Sequence, residues 1–223
     1  MTEANISILV ADDSPFIRTA YQRILKTQEN FNVVSIVENG LQAVEKALEL
    51  TPDVIVIDIR MPELDGISAS HKIRKSLPET SIVVVSAYDD WSYVFDLIQK
   101  NPDGKAYLLK NSLDDVGELI RVVELVNRRH LVLDHALAAK LGEYHERHPN
   151  GGTSNLDSRE VKVLSLLAEG YIDQEISSVL QIDPDDLKEV QSSAYNKLGV
   201  NAIDTVQAQV QATMSFLNTC VSV

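Results

Sequence analysis

The feature that most constrains this chain is the run Val54-Ile55-Val56-Ile57, which ends in Asp58 and is followed by Met61-Pro62. Four apolar residues without polar alternation read as a strand covered on both faces, as in a parallel sheet packed between helices. Asp58 then stands at the carboxyl end of a central strand, where open α/β sheets hold their ligands. An aspartate after a strand is also an ordinary turn former or helix cap. The choice depends on what the other strand ends carry.

They carry polar residues too. Ile6 to Ala11 forms an apolar run ending in Asp12-Asp13, and Ser14-Pro15 supplies a helix cap with proline at the first helical position. Phe16, Ile17, Tyr21, Ile24 and Leu25 mark the stripe of a first helix. Val33 to Val37 reads as the second strand, and the helix after Asn39-Gly40 has Ala43, Val44, Ala47, Leu48 and Leu50 on its apolar side. A third helix follows Asp65-Gly66 and stops at Pro78. Ile82 to Ala87 is a fourth strand containing Ser86, with a helix from about Asp90 to Lys100. Asn101-Pro102-Asp103-Gly104 is a turn signal. Ala106 to Leu109 is the fifth strand, Lys110 follows it, and Ser112 to Asn127 reads as a fifth helix. Five βα units with short connections imply a five-stranded parallel sheet flanked by five helices.

Asp12, Asp13, Asp58, Ser86 and Lys110 therefore converge on one sheet edge. Three carboxylates in one place disfavour their own ionised forms unless a cation offsets them, and Mg2+ suits carboxylates, a backbone carbonyl and water. A carboxylate can attack phosphorus, while a hydroxyl and an ammonium can hold the incoming oxygens. On these residues the chain resembles the receiver domain of bacterial two-component response regulators, a flavodoxin-like fold. The resemblance implies that Asp58 accepts a phosphoryl group from a histidine kinase. It implies that Asp12, Asp13, Asp58 and the Arg60 carbonyl bind Mg2+, and that Ser86 and Lys110 contact the phosphoryl group. Tyr107 matches the aromatic switch, and the side chains of Arg60 and Tyr88 match positions that influence dephosphorylation rate. Such a protein is not an enzyme on outside substrates, although a receiver can catalyse its own phosphorylation and dephosphorylation. Asn111 stands where the family usually has proline, and Gln99 to Lys105 is longer and more polar than usual.

Past residue 127 the character changes. Arg128-Arg129-His130 leads to Leu131–Leu133, then a helix is expected from Asp134 to about His145, whose Leu137, Ala138 and Leu141 can pack on either domain. His145 to Ser154 has the composition of a flexible connector. His145 and His148 have metal-like spacing without other soft ligands nearby, which favours an exposed linker. Leu156 to Val200 reads as short helices. Asp157 with Glu160 has capping-box spacing, and the last helix, from about Ala202, carries Val206, Val210, Met214 and Leu217 as core or dimer seam. Leu156-Asp157-Ser158-Arg159-Glu160, Leu167-Ala168-Glu169-Gly170, Glu175-Ile176 and Lys197-Leu198-Gly199-Val200 resemble the LuxR/NarL/FixJ-type helix-turn-helix domain. The expected organisation is a receiver at 1–127, a linker at 128–153 and an all-α four-helix domain at 154–223.

By that resemblance Pro184 to Leu198 is the recognition helix, and its start is atypical. Asp185, Asp186 and Glu189 occupy its first turns, leaving Lys188, Ser192, Ser193 and Lys197 as candidate DNA contacts, with Arg159 outside it. Residues 150–223 hold four Lys/Arg against ten Asp/Glu, and the whole chain has a net charge of -13. Phosphate contacts supply much of DNA affinity, and acidic first turns favour the helix dipole but not a DNA groove. Two readings result. One is a phosphorylation-controlled, homodimeric transcriptional regulator. The other is a response regulator whose helix-turn-helix domain binds a regulatory protein or only dimerises. Exposed Asp185, Asp186 and Glu189 favour the second. A third reading, phosphotransfer to small substrates, lacks any pocket motif.

The single cysteine, Cys220, excludes an internal disulfide framework. The first residues lack the basic flank and uninterrupted apolar core of a signal peptide, and no run approaches a membrane span. A cytoplasmic location is expected.

Overall fold

A computed structural model describes residues 5–114, 116–147, 155–201 and 204–221. The chain divides into two compact units, Met1–Arg129 and His130–Val223.

The first unit alternates strand and helix: β1 (Ile6–Ala11), α1 (Pro15–Leu25), β2 (Phe31–Val37), α2 (Gly40–Leu50), β3 (Val54–Asp58), α3 (Gly66–Ser76), β4 (Ser81–Ser86), α4 (Trp91–Ile98), β5 (Lys105–Leu109) and α5 (Val116–Asn127). All strand pairs are parallel, in the order β2-β1-β3-β4-β5. Every residue of β3, β4 and β5 is buried, which is why these strands read as unbroken apolar runs. The outer strand β2 has only its end residues buried. Helix α1 packs with α5, and α2, α3 and α4 pack in series. The chain runs from β1 outward to β2, then crosses back to β3. Its topological switch therefore lies between β1 and β3, where a crevice opens at the carboxyl ends of the strands.

Side-chain caps set the helix starts. Asn39, Asp65 and Asp90 accept from the backbone N–H of Gln42, Ser68 and Ser92 at 2.8, 2.9 and 2.8 Å. Two apolar stripes differ from expectation. In α1, Tyr21 and Leu25 are buried but Phe16 is 78% exposed. In α2 the buried face is narrow, with Gly40, Ala43 and Ala47, and it turns Leu48 and Leu50 outward. The fifth helix also starts later than Ser112, at Val116, since Lys110–Asp114 forms a 3-10 turn.

The second unit comprises β6 (Leu131–Leu133), α6 (His135–Arg147), α7 (Ser158–Ala168), α8 (Asp173–Leu180), α9 (Pro184–Leu198) and α10 (Thr205–Val221). Leu137, Ala138 and Leu141 are buried, and α6 packs on α7, so the segment after residue 130 belongs to this core. Gln209 ties it in: its amide donates to the carbonyls of Leu131 (2.7 Å) and Leu167 (2.8 Å) and accepts from Leu131 N–H at 3.2 Å. His145 is buried, stacked on Phe216 with ring centroids 4.5 Å apart and 2.7 Å from the Thr219 hydroxyl. Burial holds its imidazole below the usual value. His148 and the connector at 148–154 lie outside the described residues. Val210 and Leu217 of α10 are buried and Val206 and Met214 half-buried, and the helix begins at Thr205, with Ala202 outside the described residues.

Candidate functional site

Strand register builds the site. Ala11 pairs with Ile57, so the next residues, Asp12 and Asp58, emerge at one level on adjacent strands. Asp58 pairs with Val85, placing Ser86 one residue beyond, and Ser86 pairs with Leu109, placing Lys110 one residue beyond that. Four strands thus deliver their terminal polar residues as a staircase across the edge at the switch point. Gly66 completes the floor. A Cβ there would meet the Asp58 carbonyl at 2.0 Å, and only glycine allows α3 to begin so close to the strand end. Its N–H donates to the Ile59 carbonyl at 2.8 Å and holds the intervening loop against β3.

Carboxylate oxygens of Asp12, Asp13 and Asp58 lie within 4.8 Å of one another, with Asp12 and Asp58 buried and Asp13 exposed. The Lys110 ammonium bridges the buried pair, 2.8 Å from Asp12 Oδ2 and 3.2 Å from Asp58 Oδ1. Ser14 N–H donates to Asp12 Oδ1 at 2.9 Å. Burial pushes the Asp58 carboxyl up to about 6, with Lys110 pulling it down and Asp12 pushing it further up. Partial burial works against the Lys110 charge, yet its bond to Asp12 and the charge of Asp58 leave it above the ordinary lysine value. The arrangement has an excess of negative charge even with Lys110 in place. The donor set is all oxygen, clustered and partly open, which fits a small hard divalent cation such as Mg2+.

Ser86 is fully buried, and its Oγ accepts from Tyr88 N–H at 3.0 Å. Tyr107 is also fully buried, and its hydroxyl donates to the Tyr88 carbonyl at 2.7 Å. Burial pushes this phenol up to about 12. One peptide segment, at Tyr88, thus holds both Ser86 and the inward-turned Tyr107. On the rim, the Arg60 guanidinium lies 4.1 Å from the centre of the exposed Tyr88 ring, a cation–π contact. Hydrogen bonding to Tyr93 raises the Arg60 pKa further.

Residues 8–124 match the response regulator receiver domain. The chain belongs to the response regulator receiver family. It is 30% identical over 205 residues to the oxygen regulatory protein NreC of Staphylococcus aureus, covering 88% of this chain and 93% of that protein. The RcsB response regulator of Salmonella typhimurium superposes with a TM-score of 0.56 at 22% identity, over 98% of this chain and 99% of that one. A structure of two RcsB dimers bound to two parallel DNAs gives 0.54 at 24% identity, again over 98% and 99%. At these identities the likeness to RcsB is one of fold, and it extends through both units. The acidic triad of this response regulator is placed as in Mg2+-binding receiver domains.

The second unit places the remaining candidates differently. Glu160 is buried near the start of α7, and it accepts from Asp157 N–H at 2.7 Å in a capping box. Ser193 Oγ donates to its Oε1 at 2.6 Å and Lys197 Nζ to its Oε2 at 2.8 Å. Two of the four candidate DNA contacts on α9 therefore serve to fasten that helix to α7. Lys188 pairs with Asp185 at 3.1 Å on the surface, and Ser192 is exposed. Asp185, Asp186, Glu189 and Arg159 are all exposed. The Glu160 hub is legible in the sequence only as a capping-box spacing; its grip on α9 depends on packing. Among the described residues no helix is long and apolar enough to cross a membrane.

Proposed function

We propose that this protein is a response regulator phosphorylated on Asp58 by a histidine kinase. The observation that carries the reading is the Lys110 ammonium bridging buried Asp12 and Asp58 within an acidic triad. An Asp58 carboxylate oxygen attacks the phosphorus of a phosphohistidine. The phosphorus–nitrogen bond breaks, and its electron pair stays on the imidazole. Asp12, Asp13, Asp58 and the Arg60 carbonyl hold Mg2+, which offsets the charge concentrated there. Lys110 turns from the carboxylates toward the phosphoryl oxygens, and Ser86 Oγ leaves Tyr88 N–H to donate to one of them. Moving Ser86 disturbs the same peptide segment that anchors Tyr107, so phosphorylation is transmitted to the surface beside β4 and β5. Arg60 and Tyr88, stacked at the rim, tune access of water during dephosphorylation.

For the output we infer that the receiver expected at 1–127 acts on the helical unit, whose core takes in β6 and α6 from the segment expected as a linker at 128–153, and that its helix-turn-helix part at 154–223 dimerises and binds DNA through α9. Support comes from the fold shared with RcsB, whose dimers are described on DNA. This reading assigns phosphate contacts first to Lys188 and Ser192, which are exposed, and then to Ser193 and Lys197, which are already bonded to Glu160. A second reading is favoured by the exposed acidic first turns of α9: this domain binds a regulatory protein instead. The test is titration of the full-length protein, with and without beryllofluoride, against genomic DNA fragments at low and moderate salt. Salt-sensitive, fragment-selective binding supports the DNA reading. Absence of binding at low salt overturns it in favour of the protein partner.

A further inference from the structure

Arg18 lies on α1 five residues past Asp13 and touches none of the triad carboxylates in the contacts the structure records. Its Nη1 instead donates to two backbone carbonyls, that of Asp12 at 2.8 Å and that of Asp13 at 2.9 Å. Successive carbonyls of an extended strand point to opposite sides, so their sharing one nitrogen marks the bend at which β1 ends. The Asp12 carbonyl belongs to the peptide before the Asp13 Cα, and the Asp13 carbonyl to the peptide after it. Pinning both planes fixes φ and ψ of Asp13, and with them the direction of its Cα–Cβ bond. Arg18 Nη2 reaches to 3.9 Å from Glu38 Oε2, so the guanidinium is steadied from the β2–α2 loop.

The consequence is unequal for the two acids. The Asp12 side chain is buried and held by Ser14 N–H and Lys110. Asp13 is exposed yet contributes a carboxylate oxygen to the triad. The direction in which its side chain leaves the backbone is held by Arg18, and this limits which rotamers carry the carboxylate to the triad. A guanidinium stays charged at every accessible pH, so it also places a permanent positive charge behind the triad and reduces the repulsion its carboxylates suffer.

We propose that Arg18 is a positioning residue for the divalent cation, acting through the backbone of Asp13. The proposal rests on the reading that Asp12, Asp13 and Asp58 hold Mg2+. Full-length wild type, Arg18→Gln, Arg18→Lys, Asp13→Asn and the Arg18→Gln/Asp13→Asn double variant are titrated with MgCl2 by calorimetry, and with Mn2+ by electron paramagnetic resonance. Residues that orient a ligand typically contribute 10–100-fold in metal affinity. Arg18→Gln is expected to weaken Mg2+ binding by about 10-fold, with partial recovery in Arg18→Lys and little change in the unfolding temperature in chelator. Asp13→Asn is expected to cost much less in the Arg18→Gln background than in wild type, since the carboxylate is then already misdirected. Full additivity of the two changes overturns the proposal, as does wild-type affinity in Arg18→Gln. A loss of affinity matched by a lower unfolding temperature in chelator and unrelieved by lysine assigns Arg18 to the fold and also overturns it. Failure of the wild type itself to bind Mg2+, or binding indifferent to Asp58→Asn, instead refutes the metal site on which the proposal stands.

Discussion

The carboxyl edge of the first unit and the face of α9 in the second are both acidic, and they treat their cations in opposite ways. At the sheet edge Lys110 is drawn between two buried carboxylates whose charge it only partly offsets. The residual negative charge is an unmet demand, suited to a metal ion and then to a phosphoryl group. On α9 the lysines are matched one to one: Lys197 with buried Glu160, and Lys188 with its helix neighbour Asp185. There the charge is spent on holding helices or is left as exposed acid. A charged residue is informative about function when its surroundings leave its charge uncompensated, and much less so when a partner on the same unit absorbs it.

The sharpest break of this contrast is at Asp58. Asp58→Asn is expected to abolish acid-labile phosphoryl incorporation from a small acyl phosphate, measured by radiolabelling, while the fold persists. Full labelling of the variant would overturn the assignment. Next in size is Glu160→Gln, which leaves Lys197 facing a neutral amide and weakens the capping box. Losing this charge-assisted bond, whose lysine is a third exposed, costs about 1.5 kcal/mol, read as an earlier chemical unfolding of the helical unit with the receiver transition unchanged. Unaltered unfolding would mean that Lys197 is available to an outside partner after all.

A smaller effect tests the exposed acids. Asp186→Lys with Glu189→Lys converts repulsion at the first turns of α9 into attraction. If this face meets DNA, affinity at low salt should rise by roughly 10-fold and its salt dependence should steepen. Indifference to both changes would point away from a DNA-facing role. The smallest concerns Lys105, buried on β5 and donating to the carbonyls of Leu97 and Lys100 at 2.5 and 2.7 Å. Burial first, then the charge of Arg74, lowers its pKa to about 8 from 10.5. Between those values the unfolded chain holds the extra proton, so the folded state gains stability as pH rises. Relative to Lys105→Met, wild type should gain about 1 kcal/mol per pH unit across that window. A constant difference from pH 7 to 10 would show that the buried ammonium is not under strain.

The receiver was legible because its chemistry is written at strand ends. Apolar runs that stop at Asp12, Asp58, Ser86 and Lys110 specify both a buried parallel sheet and the polar residues at one edge of it. Helix starts were legible for a similar reason, since Ser14, Asn39, Asp65 and Asp157 satisfy local N–H groups a few residues away. Stripes were less so. Phe16, Leu48 and Leu50 lie on apolar periodicities yet face outward, because the pattern gives an angle around the helix but not where the neighbouring layer ends.

What the sequence determined by itself was therefore local and periodic: the five βα units, the short helices after residue 154, and the polar residues that end the strands. Tertiary structure alone decided which of those residues have charge to spare. Register set Asp12 beside Asp58 and brought Lys110 between them. Packing turned Ser193 and Lys197 toward Glu160, and a bend in the backbone put two carbonyls on Arg18. Each of these depends on contacts between residues distant in the chain or on the direction of individual bonds, and neither is encoded in spacing.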